Sequence, residues 1–288
     1  MDENSLFKFG NEIKNLFNAS RTNAAIDKKS IDRIISNNDI SEDQFISIFL
    51  EILKQNSYPA VSDYRVSAAV LTANMNIYTG ANIEFPSLSP QFTVHAEQAA
   101  VANALNNGES HISELWVSDL PCGMCLQFLS EQKKSKNLII KTADGKISEL
   151  RTLLTQPFSM EAKESGKNAK FKAINNSENE LINRAISASQ MSVAPITDFY
   201  AGAALQTSSA NIYTGFYLEN ISFNTSLLPV QMALASLLAG EEKPEDIVKS
   251  VLVQTGHQAL DFEQISDLML KSICKSQIIF EKLNKEGK

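Results

Sequence analysis

The sequence predicts an α/β protein in which one fold occurs twice. Residues 62–84 align without a gap on residues 197–219, at a constant shift of 135 positions. Within this alignment the string Asn-Ile-Tyr-Thr-Gly at 76–80 recurs at 211–215. A match of this length and regularity indicates a duplicated domain.

Each copy is predicted to open with a helix and to continue with a β-hairpin. Apolar residues recur at helical spacing over 42–55 before the first copy and over 178–191 before the second. β-Branched and aromatic residues at 64–71 and 76–78 flank the turn-like Thr72-Ala73-Asn74, which favours a hairpin. The further elements predicted for the first copy are an alanine-rich helix at 94–105, a strand at 115–118, a helix at 125–132, and strand or helix at 138–142 and 150–154, separated by a turn at Asp144-Gly145.

Composition and pattern together divide the chain into four segments. Its 288 residues are 43% apolar, which is enough to bury the cores of two domains. Residues 156–177 are polar and rich in Lys, Glu, Asn and Ser, the composition of a linker. We predict a helical N-terminal segment at 1–41, with helical stretches at 5–17 and 30–35, a first domain at 42–155, a linker at 156–177 and a second domain at 178–288.

The composition also limits the cellular setting and the partners. No apolar run approaches the about 20 residues that span a bilayer, and the N-terminus is too polar for a secretory signal, so we expect a cytoplasmic protein that does not bind membranes. Three cysteines cannot form a disulfide framework, and Cys274 is expected to be a buried helix residue. The net charge of −7 argues against nucleic acid as the partner and favours a small uncharged ligand. The lysine-rich runs at 133–136 and 167–172 are interpreted as solvated surface.

The residues that carry chemistry are His95 and Glu97, followed by Cys122 and Cys125 in a Pro-Cys-x-x-Cys sequence. An imidazole and two thiolates are three zinc ligands, one short of a closed tetrahedral set. The fourth position is left for water, whose pKa zinc lowers to about 7. Glu97, two residues from His95, lies where a proton carrier must stand. His-x-Glu followed by Pro-Cys-x-x-Cys is the signature of zinc nucleobase deaminases.

Each part of this motif alone has a simpler interpretation. His95 alone suits a surface or capping histidine, and Glu97 alone suits a carboxylate in the first turn of a helix. Cys122 and Cys125 alone could form a redox pair or half of a structural zinc site, but no second Cys-x-x-Cys completes such a site. The combination predicts one catalytic Zn²⁺ per chain, ligated by the imidazole and both thiolates. His95 and Cys122 are each expected at the start of a helix, where negative charge is stabilised.

The second copy lacks these groups. With a two-residue deletion, Leu228-Pro229-Val230 falls opposite His95-Ala96-Glu97, and no Cys-x-x-Cys follows. We therefore expect a metal-free second domain that is retained for packing, for completing its partner's pocket, or for both.

At these residues the chain resembles the larger, duplicated, homodimeric cytidine deaminases of bacteria and plants, from about Glu42 to the C-terminus. The resemblance implies a three-layer α-β-α cytidine-deaminase-like fold. It also implies hydrolysis of cytidine, and of deoxycytidine, in pyrimidine salvage. Residues 80–85 resemble the family's Gly-x-Asn-x-Glu-Phe segment, which implies that Asn82 and Glu84 hold the ribose hydroxyls.

Two further segments carry the resemblance. Residues 62–66 are similar to a segment whose aromatic residue stacks near the base, which assigns Tyr64 to the pocket wall. Residues 219–224 resemble the segment that closes the neighbour's active site in the family's homodimer, which implies that Ser222 and Phe223 complete the partner's pocket. Ser67 departs from the glycine usual in the family.

Two alternative functions remain open. The same zinc site could act on a base within nucleic acid, against which the acidic charge counts. The chain could instead be a catalytically silent relative that uses zinc to hold its fold, against which Glu97 and the missing fourth protein ligand count.

Overall fold

The described part of the chain contains two mixed β-sheets with helices packed on them. A computed structural model describes residues 9–13, 15–16, 25–132, 135–159, 177–256 and 259–283. The chain divides into two compact units, the first formed by 1–83, 95–157 and 238–241 and the second by 84–94, 158–237 and 242–288. The linker predicted at 156–177 lies largely outside the described residues, whereas residues 9–13 and 15–16 of the helix predicted at 5–17 are described and are helical.

The first sheet has six strands in the order β1-β3-β2-β4-β5-β6. Neighbouring strands are antiparallel except β4 and β5, which are parallel. Its elements are β1 Ala25–Asp27, α1 Lys28–Asn38, α2 Glu42–Leu53, β2 Ser67–Thr72, β3 Asn76–Ala81, α3 Ala96–Asn106, β4 Ile112–Val117, α4 Gly123–Ser130, β5 Ile139–Thr142, β6 Ile147–Glu149 and α5 Leu150–Leu153.

The second sheet repeats the four central strands of the first, in the order β10-β9-β7-β8. Here β7 is antiparallel to β8 and β9, and β9 is parallel to β10. Both sheets carry an irregularity at matching positions, between Leu71 and Thr72 and between Gln206 and Thr207. The elements are α6 Glu180–Ser189, β7 Ala201–Thr207, β8 Ile212–Phe216, α7 Pro229–Ala239, β9 Ile247–Thr255, α8 Glu263–Ile273 and β10 Ile278–Leu283. The predicted duplication of an α/β fold is confirmed.

Each sheet is covered by helices on both faces. Ala68 pairs with Gly80, so these two residues share one face, and a Cβ on Gly80 would lie 2.2 Å from the backbone nitrogen of Ala100 in α3. Ser67 points to the opposite face, where its hydroxyl donates to the Leu50 carbonyl of α2 at 2.6 Å. Successive strand residues therefore contact different helices, which produces the predicted three layers.

Helix α2 begins at a capping box and buries one face. The Ser41 hydroxyl accepts from the backbone N–H of Gln44, while the Gln44 side chain accepts from the backbone N–H of Ser41. Phe45 and Phe49 of this helix are fully buried. The ring of Phe49 packs edge-on against Trp116 of β4, with centroids 6.2 Å apart.

An ion-pair network ties the N-terminal helices to the first sheet. Glu42 contacts Lys28 at 3.2 Å and Lys141 at 2.8 Å, and Lys141 also contacts Glu114 at 2.9 Å. The indole N–H of Trp116 donates to Glu114. Burial would raise the pKa of Glu42, but hydrogen bonds from Lys141 and Lys28 outweigh it and lower that pKa.

The structure corrects two predictions and decides a third that was left open. The strand expected at 64–71 begins at Ser67, because Tyr64 and its neighbours form an exposed loop. The segment at 150–154, left open between strand and helix, is the short helix α5. Cys274 is not within a helix: it follows α8 in extended conformation and is only half-buried.

Candidate active site

Two helix starts present the predicted metal ligands. His95 is the N-cap residue of α3, and Cys122 is the N-cap residue of α4. The backbone N–H of His95 donates to the side chain of Gln98 at 3.1 Å, which fixes the entry of the chain into α3. Cys125 lies in the first turn of α4 and is fully buried. The prediction that both ligand segments open a helix is confirmed.

The geometry of the three ligands fits zinc. His95 Nδ1 lies 3.6 Å from Cys122 Sγ, and the ligand atoms of His95, Cys122 and Cys125 all lie within 4.8 Å of one another. Nitrogen and sulfur ligands at tetrahedral zinc distances of about 2.1 and 2.3 Å are separated by about 3.6 Å. Three protein ligands leave the fourth position open, as in catalytic zinc sites.

The pKa values of the two thiols are shifted in opposite directions. Hydrogen bonds from Cys125 and His95 lower the pKa of Cys122 to about 3. The hydrogen bond to Cys122 and burial raise the pKa of Cys125, and the Cys122 contact also raises the pKa of His95. Zinc binds deprotonated thiolates, so its binding would release the proton of any ligand thiol that is still protonated.

Glu97 lies in the first turn of α3 and is 4% exposed. Burial raises the pKa of its carboxyl, and its backbone N–H and the His95 charge oppose this shift only in part. A carboxyl group whose pKa is raised toward neutrality is suited to accept and return a proton. The chain thus places a buried carboxyl group with a raised pKa against the ligand cluster.

Asn82 and Tyr64 contact each other directly. The Asn82 side chain accepts from the backbone N–H of Val66 and donates to the Tyr64 carbonyl, both at 2.9 Å. One amide hydrogen and one lone pair of Asn82 remain for a ligand. Tyr64 is 59% exposed, and its hydroxyl donates to Asp119 Oδ1 at 2.9 Å.

The remaining predicted substrate residues lie in the second compact unit. Glu84 is buried there. Ser222 and Phe223 form part of a turn, where the Ser222 and Thr225 hydroxyls are 2.7 Å apart. Phe223 is 53% exposed and has a φ of 55°, a conformation that a bulky side chain rarely adopts.

In the second unit, aromatic side chains occupy the positions that match the site. Phe199 and Tyr217 correspond to Tyr64 and Asn82 at the shift of 135, and Phe262 is the N-cap residue of α8 as Cys122 is of α4. The ring centroid of Phe262 lies 4.9 Å from that of Phe199 and 4.9 Å from that of Tyr217. All three rings are buried. The equivalent of the candidate site is therefore filled by protein.

Two residues around the ligands were missed from the sequence. Gln98 holds the His95 backbone, and a Glu or Gln three residues after a helix start is a recognisable capping signal. Asp119 accepts the hydrogen of the Tyr64 hydroxyl, and no pattern in a single sequence predicts a contact between residues 64 and 119.

The comparisons with known proteins agree with this site. Two family models described as the cytidine and deoxycytidylate deaminase zinc-binding region match residues 40–142 and 127–267. The cytidine deaminase of Vibrio vulnificus (strain YJ016) is 32% identical over 243 residues, 82% of this chain and 82% of that protein. The cytidine deaminase of Histophilus somni (strain 2336) is 34% identical over 219 residues, 75% of this chain and 72% of that protein.

Among solved structures, the cytidine deaminase from Mycobacterium tuberculosis is 27% identical over 38% of this chain and 89% of that chain, with a TM-score of 0.34. In the described residues, no helix is both long and apolar enough to cross a membrane. On its likeness to full-length relatives, the chain belongs to the cytidine deaminase family of zinc-dependent hydrolases.

Proposed function

We propose that the chain hydrolyses cytidine, and also deoxycytidine, to uridine or deoxyuridine and ammonia. The observation that carries the proposal is the cluster of His95, Cys122 and Cys125 with a buried carboxyl group beside it. The water oxygen replaces the exocyclic amine, so one nucleoside and one water give one deaminated nucleoside and one ammonia.

The chain's own residues provide the ligands and the proton transfers. His95, Cys122 and Cys125 would hold one zinc ion per chain, because their ligand atoms all lie within 4.8 Å of one another. The ion, when bound, supplies a nucleophile at neutral pH by lowering the pKa of water. Glu97 accepts one proton of that water and delivers it to the pyrimidine ring nitrogen, and it then takes the proton of the hydroxyl added at the ring carbon and passes it to the departing amine. Its raised pKa supports both halves of this role.

Substrate positioning is assigned to the loop that carries Tyr64 and to the residues that follow β3. Asn82 and Glu84 bind the ribose hydroxyls, and Tyr64 forms a wall of the pocket. The bonds from Asn82 to the 64–66 backbone support this assignment, because they orient the amide before substrate arrives.

The proposal includes a cytoplasmic homodimer acting in pyrimidine salvage, with Ser222 and Phe223 of each chain completing the pocket of its partner. The exposed ring of Phe223 in a conformation with positive φ supports a contact at this turn. Sedimentation of the zinc-loaded protein, with Phe223→Ala beside it, tests the assembly. A dimer whose kcat falls about tenfold in the variant is expected, and a fully active monomer would contradict it.

The decisive experiment follows the loss of cytidine absorbance with zinc-loaded protein. Glu97→Gln keeps the shape of the side chain but cannot carry the proton, so turnover should vanish while zinc content stays at one per chain. A single-stranded oligonucleotide serves as the competing substrate. Deamination of the oligonucleotide but not of free cytidine would move the function to nucleic acid. Bound zinc with no turnover of either would favour a silent relative.

A further inference from the structure

Equivalent aromatic residues in the two units have opposite environments. Phe199, at the Tyr64 position of the repeat, is fully buried and packs against Phe262 and Tyr217. Tyr64 instead lies outside, with 59% of its surface exposed. An aromatic ring gains from burial, so an exposed ring beside a site must be held there.

Hydrogen bonds at both ends hold Tyr64 in this position. Asn82 binds its backbone carbonyl, and Asp119 accepts its hydroxyl hydrogen at 2.9 Å. Asp119 is itself fixed, because its second carboxylate oxygen accepts from the Ser118 hydroxyl at 2.8 Å. Ser118 in turn accepts from the backbone N–H of Ser67 at 3.1 Å, which anchors the network on β2.

The residue that matches Asp119 in the second unit holds an aromatic residue inside the protein rather than at the surface. Gln254 corresponds to Asp119 at the shift of 135, which relates Val117 of β4 to Leu252 of β9 in the registers of the two sheets. Its side chain accepts from the backbone N–H of Phe262 at 2.9 Å and donates to Asp261 at 2.8 Å. It thus holds an aromatic residue within the cluster that fills the site.

We propose that Asp119 is a positioning residue that holds Tyr64 at the mouth of the active site and out of the space that nucleoside occupies. This inference rests on the proposed function for its effect on substrate. Asp119 lies three residues before the ligand Cys122, so it couples the loop carrying Tyr64 to the loop carrying the zinc ligands. Release of the ring would let it compete with nucleoside, which raises KM and leaves the proton transfers intact.

Steady-state kinetics on free cytidine test the inference. Asp119→Ala should raise KM about three- to tenfold, the range of one hydrogen bond, with kcat within about twofold and zinc content unchanged. Asp119→Asn keeps an acceptor for the hydroxyl and should restore most of the wild-type KM. Tyr64→Phe should match Asp119→Ala, and the double variant should be no worse than either. Asp144→Ala, which removes an exposed carboxylate elsewhere, is the matched control.

An NMR titration with labelled tyrosine separates this inference from the proposed function. The hydrogen bond to Asp119 raises the pKa of Tyr64, so this pKa should fall in Asp119→Ala. Tyr64→Phe identifies the signal. If Asp119→Ala changes the Tyr64 resonance but the protein does not turn over cytidine, the contact is supported and the proposed function is contradicted. Normal turnover with an unchanged KM, or additive effects in the double variant, would overturn the positioning role.

Discussion

In the first unit, α3 follows His95 and carries Glu97 in its first turn; in the second, α7 follows Leu228 and carries Val230 at the matching position. Both helices have 11 residues. The glutamine that caps the entry is present in both, since Gln231 accepts from the backbone N–H of Leu228 at 2.8 Å as Gln98 does from His95. The second unit therefore has the same helix and the same capping hydrogen bond but lacks the histidine and the glutamate.

The features shared by both units are those that hold the fold. Gly80 and Gly215 each let a helix approach a strand closely. Glu109 accepts hydrogen bonds from the hairpin residues Asn74 and Asn76, and its counterpart Glu242 accepts from Ser209 and Asn211. Because these contacts occur with and without the zinc ligands, we assign them to folding. The residues that differ between the units are the ones to test for catalysis.

The largest effect is expected where the proposed proton carrier is replaced by its counterpart in the second unit. Glu97→Val gives the first unit the side chain of the second and removes the proton carrier, so kcat on cytidine should fall about 10²- to 10⁴-fold. Zinc content, measured by elemental analysis, should stay at one per chain. Val230→Glu in the other unit should restore nothing, since that unit has no ligands. Activity retained in Glu97→Val would refute the role of Glu97.

The aromatic pair provides the next largest contrast. Phe199→Ala should lower the free energy of unfolding by about 3–5 kcal/mol, because it empties a buried ring position. Tyr64→Ala, at the matching exposed position, should lower it by less than about 1 kcal/mol. Urea unfolding followed by circular dichroism compares them. Equal losses would mean that Tyr64 is a core residue.

Replacing Gly80 or Gly215 by alanine should lower the stability of the protein by similar amounts. A Cβ on Gly80 would lie 2.2 Å from the Ala100 backbone, and one on Gly215 would lie 2.3 Å from the Pro229 carbonyl oxygen. Gly80→Ala and Gly215→Ala should each destabilise by about 2–3 kcal/mol, because backbone must move. Gly256→Ala, with no atom near the added Cβ, is the control in calorimetry. A large effect in one unit alone would contradict the shared packing.

Acid should weaken the first unit through Glu42, whose position in the second copy holds Ser177. The pKa of Glu42 is lowered on folding, so its stabilisation is full above the unfolded value of about 4.3 and is lost as pH falls through the folded pKa. Glu42→Gln should cost at most about 1 kcal/mol at pH 7, since the side chain is 39% exposed and water screens the pair. The variant should lose less stability between pH 5 and about 3 than the wild type. Parallel acid titrations would contradict this.

The smallest effect concerns a turn. Gly108 has a φ of 81°, and its counterpart Glu241 has a φ of 61°. Because a left-handed conformation is unfavourable for a residue with a Cβ, Glu241→Gly should stabilise by up to about 1 kcal/mol. Thermal unfolding measures the gain, and Gly108→Glu should show the opposite sign. A lower melting temperature in Glu241→Gly would show that the glutamate side chain matters more than the backbone.

The sequence was sufficient where function depends on residue type and spacing. Residue type and spacing predicted His95, Cys122 and Cys125 as ligands, and the structure brings these three side chains together, while the role of Glu97 stays a prediction. The shift of 135 also paired the two hairpins correctly. The sequence was insufficient where function depends on whether a side chain points into the core or toward solvent. Tyr64 and Phe199 stand in matching patterns, yet one is exposed and the other is buried. Their difference arises from tertiary partners, Asp119 for one and Phe262 for the other.

Trp116 is the only tryptophan in the chain, and it is fully buried in the first unit against Phe49 and Glu114. Its emission is therefore an intrinsic optical probe of that unit alone. A denaturation curve followed by tryptophan fluorescence reports the zinc-bearing copy, and a curve followed by backbone ellipticity reports both. Any gap between the two midpoints measures how independently the copies unfold, without a label or a truncated protein.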